Sequence, residues 1–268
     1  MKRILISLLA LSLCLLMTAC SQGATRGDGA QTAASDLAYV REKGTLVVGI
    51  TEFEPMDYQD AQGNWIGFDA DMAAAFAGSL GVEAEFKVIE WENKAALLSD
   101  KSIDVVWNGM TLSEEVKASM ATSNPYFNNA QVVVVKADSA GRYQTDESLS
   151  GITLAVESGS AGQEQAAARG LAFTVVADQA SALQSVSTGA SDAAIVDFLM
   201  AKAMIGEGTR YADLTYTVSL SSEEYGVGFR KGSDLAARLN DFFSASYADS
   251  TMQAIARRYD IAAFLLAQ

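Results

Sequence analysis

From Leu46 onward, short apolar runs alternate with longer amphipathic stretches. Leu46–Ile50 reads as a buried strand. Asp69–Leu80, with Met72, Ala73, Phe76, Ala77 and Leu80 on one face and Gly81 behind it, reads as a helix with its stop signal. Val82–Ile89 alternates Val82, Ala84, Phe86 and Val88 with Glu83, Glu85 and Lys87, the period of a half-exposed strand. Asn93–Ser99 is a short helix. Further strands are expected at Val132–Val135, Ile152–Val156, Phe173–Val176, Ala193–Val196 and Gly226–Phe229. Helices are expected at Ala161–Ala168, Gln179–Ser187, Phe198–Ile205 and Asp234–Tyr247. Strands that alternate with helices specify an α/β architecture with mostly parallel sheets.

The stretch from Ser102 to Val116 organises the rest. Ile103–Trp107 is an apolar strand, Asn108 and Gly109 break it, and Ser113 with Glu114 and Glu115 makes an N-cap and an acidic first turn. A turn beyond the carboxyl end of a strand in an open sheet borders a crevice, so Asn108, Gly109 and Thr111 are candidate pocket residues. Leu183–Asp197 repeats this plan, with Asp192 in the place of Asp104, an apolar strand, and Asp197 at its exit. Two units of one design predict two similar lobes. If the lobes face each other, Asp197 meets Gly109 and Thr111 across a cleft. The plainer alternative is that Asp197 only caps the helix after it.

Two short polar segments, 126–131 and 221–226, read as passages between the lobes. They divide the chain into a first lobe of residues 38–127 and 226–268 and a second of 128–225. A two-segment hinge permits closure around a ligand.

The first residues change the picture of where the chain works. Met1-Lys2-Arg3 is a positive start and Ile4–Met17 an apolar run too short to span a bilayer. Met17-Thr18-Ala19-Cys20 then resembles a bacterial lipobox. Residues 1–20 are thus expected to be a lipoprotein signal peptide, with Cys20 lipidated and holding the protein at the outer face of the cytoplasmic membrane. Residues 21–37, rich in Ser, Gly, Ala, Thr and Gln, read as a flexible tether. The composition, 33 acidic against 19 basic residues and a formal net charge of −14, excludes a nucleic-acid partner and a basic membrane-binding face. With two cysteines, one of them in the leader, and no histidine, neither an intramolecular disulfide, a metal site nor a cofactor is expected.

Leu46–Thr51, Gly67-Phe68-Asp69-Ala70-Asp71-Met72, Ile103–Thr111, Asn124-Pro125-Tyr126, Glu157-Ser158-Gly159-Ser160 and Tyr225–Asp234 resemble, in order, the landmarks of the polar amino-acid solute-binding proteins of ABC importers (extracellular solute-binding protein family 3). The resemblance implies a two-lobed periplasmic-binding-protein fold. It also implies a monomer that closes on a small amino acid or analogue and hands it to an ABC permease. It places Phe53 and Trp91 as aromatics against the ligand, Gly109 and Thr111 on its backbone groups, and Asp197 on its ammonium. Ser158, Gly159, Ser160 and Ala161 form a turn that offers hydroxyls and amides. An ammonium needs a buried carboxylate, and an apolar stem fits between aromatic faces. Phe53 and Trp91 as plain core, and Ser160 as a mere N-cap, are the competing readings. Glu54, Met56, Trp107, Asn108 and Glu157 are candidates for tuning specificity, and the acids among them hint at a cationic or polar ligand.

One departure stands out. The arginine that grips the ligand's α-carboxylate in most relatives is replaced here by Val116, and Lys117 points to another side of its helix. Lys94 is the first candidate to replace it; the N-terminus of the helix after Ser158 and a ligand lacking the α-carboxylate are the alternatives. A cleft enzyme of the dehydratase or lyase kind, with Glu157 or Asp197 as general acid, is the competing function, and a ligand-sensing subunit a third. Neither a Ser-His-Asp triad, a nucleophile elbow nor a phosphate-loop pattern is present, so the chain is read as a non-enzyme.

Overall fold

The computed structural model describes residues 35–268; the leader, Cys20 and nearly all of the tether lie outside them. Helix α1 (Asp36–Lys43) is capped by Ser35, whose hydroxyl accepts from the Ala38 amide at 3.0 Å. The helix begins one residue before Leu37, inside the stretch read as tether. In the first lobe it is followed by β1 (Thr45–Ile50), a hairpin of β2 (Tyr58–Gln59) and β3 (Trp65–Ile66), α2 (Phe68–Leu80), β4 (Glu83–Val88), α3 (Lys94–Ser99), β5 (Val105–Thr111), α4 (Glu114–Ser119), β6 (Ala121–Thr122) and β7 (Phe127–Asn129). The second lobe contains β8 (Gln131–Lys136), β9 (Leu154–Glu157), α5 (Ala161–Ala168), β10 (Phe173–Val176), α6 (Gln179–Thr188), β11 (Ala193–Asp197), α7 (Phe198–Met204) and β12 (Leu214–Ser219). The chain returns to the first lobe through β13 (Glu223–Phe229), α8 (Leu235–Ala248) and α9 (Thr251–Arg258).

Each lobe is built on one mixed sheet. The first has the order β4-β1-β5-β13-β6, with β7 also on β13. Strands β4, β1 and β5 are parallel and β13 runs against them. The second has the order β10-β9-β11-β8-β12, parallel through β11 and antiparallel beyond it. The chain passes between sheets at Ala130 and again between Ser219 and Glu223. Glu223 and Glu224, read from the sequence as approach to a strand, already pair with Asn129 and Asn128.

The repeated plan has a physical counterpart. Asp104 accepts the Val47 amide at 2.8 Å, and Asp192 accepts the Thr153 amide at 2.8 Å, so each aspartate ties its own strand to the start of the neighbouring one. Asp104 is fully buried and also takes Lys43 Nζ at 2.5 Å. Arg230 lies beside it, donating to Asp36 at 3.0 Å and to the carbonyls of Leu98 and Ile103 at 2.9 and 3.0 Å.

One expectation about the central stretch is overturned. Asn108 and Gly109 do not end the strand: β5 continues to Thr111, paired with β13 at Tyr225↔Thr111 and Gly226↔Met110. The register shifts between Gly226 and Gly228, and Gly109 sits in that bulge at φ +55°, a conformation open to glycine. Trp107 consequently points into the core, fully buried with its ring 6.2 Å from Phe76 and 5.6 Å from Phe243. It does not face the cleft.

Candidate functional site

A cavity of about 330 Å³ lies between the lobes. The first lobe contributes Phe53, Trp91, Lys94, Asn108, Gly109 and Thr111; the second contributes Glu157, Gly159, Ser160, Ala161, Gln179 and Asp197. The two turns singled out in the sequence, one from each repeat, therefore open on the same space.

The first-lobe wall is built from beneath. Asp69, on the first turn of α2, accepts the Gly109 amide at 2.6 Å, and the Tyr126 hydroxyl donates to both Asp69 oxygens at 2.9 and 2.8 Å. The Phe53 ring covers Gly109 so closely that a Cβ there would stand 2.3 Å from Phe53 Cε1. Asn108 spends its whole hydrogen-bonding capacity inside the lobe. Its Oδ1 accepts from the Thr51 amide and hydroxyl, and its Nδ2 donates to Thr51 O and Asp57 Oδ2. It borders the cavity as a brace between β1 and β5.

In the second lobe, Asp197 is only 4% exposed. It occupies the N-cap position of α7 without bonding that helix, so capping does not account for it. Oδ1 accepts from Asn129 Nδ2 and from Gln131 Nε2 at 2.8 Å, and Oδ2 accepts from Gln179 Nε2. A carboxylate has about four acceptor positions, so one is left for the cavity. Glu223 shares the same two amides, at 2.7 and 2.8 Å, and takes the Thr111 hydroxyl at 2.8 Å. Burial and the charge of Glu223 hold the Asp197 carboxyl well above its usual range.

Lys94 reaches from α3 across the mouth, donating to Gly159 O at 2.9 Å and Trp91 O at 3.3 Å, with its ammonium 4.8 Å from the centre of the Trp91 ring. Two of its three donors are used, and one remains. Burial lowers its pKa while Glu157, Glu115 and Glu164 oppose that shift. Ser160 caps α5 by accepting the Gln163 amide at 3.1 Å and still borders the cavity. Ser158 does not: its hydroxyl donates to Glu92 Oε2 at 2.6 Å, a second contact between the lobes. Val116 lines the cavity from α4, and Lys117 faces away from it toward Glu114.

Three of the residues proposed to tune specificity stand elsewhere. Trp107 and Met56 are core, and Glu54 faces a separate cavity beside Tyr58, Lys202 and Arg258, because the chain reverses after Phe53. The sequence reading missed Thr51, Gln179, Glu115 and Glu164, which line the cavity, and Asp69 beneath it. Asp69, within Gly67-Phe68-Asp69, and Thr51, at the end of Leu46–Thr51, carried a signal. Gln179 gave none, since its side chain reaches back from a helix start to a strand eighteen residues on.

The buried acids set a pH dependence. Burial lifts Glu157 to about 8 and Asp69 to about 7. Both therefore hold protons in the folded chain that the unfolded chain has already released. Their contribution is complete in acid and is lost as pH rises through about 7–8. Thermal unfolding of the ligand-free protein should occur several degrees lower at about pH 8.5 than at about pH 5.5. An unchanged or rising midpoint would show that these carboxyls are ionised.

A bilobal α/β protein whose lobes enclose a polar cavity at the mouth of both sheets is built to hold a small solute. The model of bacterial extracellular solute-binding proteins, family 3, matches residues 46–261, and the chain belongs to that family. It is 32% identical to the L-cystine-binding protein TcyJ of Escherichia coli over 82% of this chain and 84% of that protein. A solved variant of ArgBP from T. maritima superposes with a TM-score of 0.78 at 31% identity, covering 84% of this chain and 98% of the other. The family also reaches an enzyme: a cyclohexadienyl dehydratase of Pseudomonas aeruginosa is 27% identical over 64% of this chain and 66% of its own.

Proposed function

We propose that this chain captures a small amino acid or amino-acid-like zwitterion outside the cytoplasmic membrane and delivers it to an ABC permease, with lipid on Cys20 as its anchor. The observation that carries the reading is Asp197. A nearly buried carboxylate with one acceptor position open lines the same cavity as Gly109, Thr111, Phe53 and Trp91. Its amide donors hold it in place, and an ammonium supplies the charge that burial has left unmatched. The ligand's carboxylate falls to the free donor of Lys94, helped by the N-terminus of α5.

Closure follows from the contacts at the mouth. Lys94 to Gly159 and Ser158 to Glu92 join the lobes and form only when they meet. A ligand that fills the cavity favours the closed form by its differential affinity for it. Relatives named as binding proteins for cystine, arginine and glutamine support the substrate class.

The test is a thermal-shift screen of the purified protein against the amino acids, their betaines and short peptides, followed by calorimetry on the best. At a ligand concentration of 100 Kd, binding stabilises the fold by about 2.7 kcal/mol, a readily seen shift. Lys94→Met should weaken binding of an amino acid about tenfold or more, and should spare its decarboxylated amine. Equal affinity in variant and wild type would remove Lys94 from the carboxylate.

A catalytic reading has one observation behind it: Glu157 is a buried acid that stays protonated near neutral pH, as a general acid must. Against it stands Asp197, which three amide donors hold as a fixed acceptor for the ligand. Incubation with cyclohexadienyl acids of the prephenate or arogenate type should leave them unchanged; turnover abolished by Glu157→Gln would establish the enzyme instead.

A further inference from the structure

Glu157 ends β9 beside Asp197, lines the cavity, and is 3% exposed, yet its Oε1 finds no hydrogen-bond partner. Asp197, nearly as buried, is held by three amides. A buried carboxyl oxygen without a partner is costly, and such a group persists where something other than the protein satisfies it. Further out, Glu115 and Glu164 border the same cavity from α4 and α5, and among the described residues Lys94 is the one basic side chain that lines it. A neutral zwitterion brings one ammonium and one carboxylate to this wall, leaving the acidic excess as it was.

We infer that Glu157 is a ligand-contacting residue and that with Asp197 it makes the site select a net-positive cargo carrying two cationic nitrogen groups. The inference rests on the reading of the cleft as a solute site and narrows its ligand. Two sources share this chemistry: an amino acid with a basic side chain, whose carboxylate takes the free donor of Lys94, and a short aliphatic diamine, which needs no carboxylate partner. With Val116 where a cation would otherwise stand, the described residues give the cavity no second positive group in either case. Besides its burial, the groups facing Glu157 are Asp197 and Asp178, which disfavour its ionisation, and Lys94 and the Gln179 side-chain amide, which favour it. A ligand cation seated there reverses the balance, and the carboxyl gives up its proton to solvent.

The experiment is calorimetry on the purified protein with L-arginine, L-lysine, 1,4-diaminobutane, L-glutamine and L-cystine as probes, each in two buffers of different ionisation enthalpy at about pH 7. At least one of the three cationic probes should bind tenfold or more tighter than glutamine and cystine, with release of a fraction of a proton. Glu157→Gln should reduce that preference about tenfold and diminish the proton release, leaving the part that comes from Asp197. Dependence on Lys94 then separates the sources, since Lys94→Met weakens the basic amino acid and spares the diamine. Tightest binding of glutamine or cystine, or a cationic probe bound without proton release by the wild type, overturns the inference and leaves the solute-binding reading standing. Failure of every amino acid and amine overturns both.

Discussion

Asp197→Ala should reduce affinity for the cargo at least about a hundredfold, because removing one member of a desolvated charge pair costs about 3 kcal/mol or more. The loss has two parts. The ligand's ammonium gives up its charge-assisted bond, and it loses the counter-ion that offset its desolvation. The fold itself should survive: Glu223 still accepts from Asn129 and Gln131, and only Gln179 loses its acceptor. Relief of the repulsion between Asp197 and Glu223 offsets that loss. The thermal midpoint of the ligand-free variant should therefore lie within a few degrees of wild type, and Asp241→Ala, at an exposed acid, should leave binding unchanged. A variant that binds as well as wild type would place the ammonium elsewhere.

The second large effect concerns stability. Arg230 ties three parts of the first lobe together: Asp36 at the start of α1, Asp104 at 3.6 Å before β5, and the carbonyls of Leu98 and Ile103 around the end of α3. Arg230→Met leaves the buried Asp36 carboxylate and two carbonyls without their donor, and takes from the buried Asp104 one of its two neighbouring cations. The expected destabilisation is about 3–5 kcal/mol in urea unfolding, the range for breaking one side of a buried ion pair. Arg258→Met offers the contrast. Its side chain is 64% exposed in a pair with Asp71, and its removal should cost no more than about 1 kcal/mol. A loss below about 1 kcal/mol at Arg230 would mean that Lys43 and the Val47 amide alone suffice for Asp104.

The architecture was legible because strands here are made of β-branched runs that the sheets bury, such as Val132–Val135 and Ala193–Val196, and because glycines such as Gly81 mark helix ends. The Asp104 and Asp192 repeat was legible for a related reason: each unit needs the same tie to its neighbouring strand. What escaped depended on partners distant in sequence. The continuation of β5 through Asn108 and Gly109 is supported by β13, more than a hundred residues later, and nothing local announces it. Tertiary pairing outweighed the turn propensity of Asn-Gly. Helix α9 was missed because its apolar positions are sparse, with Met252, Ile255 and Ala256 sufficient to seat it, whereas strand β12 was missed although Leu214, Tyr216 and Val218 alternate with polar residues.

The site followed the same division. Residues at strand exits and helix starts, Thr111, Ser160 and Asp197, stand where an α/β crevice requires them, and with Gly109 in the bulge of β5 all border the cavity. Residues assigned by nearness in sequence fared worse. Met56 and Trp107 alternate into the core, and Ser158 turns toward Glu92. The amides that hold Asp197 come from three separate elements, and only the folded chain assembles them. Their number matters to the account, since they fix the carboxylate before the ligand arrives and so reduce the ordering that binding requires.

The most direct test is a crystal structure of the protein with the tightest-binding compound from the screen. The amine nitrogen should lie within about 3 Å of an Asp197 oxygen, with the stem against Phe53 and Trp91 and both lobes in contact with the compound. Density for the compound in the cavity beside Tyr58, Lys202 and Arg258, or an amine held away from position 197, would contradict this arrangement.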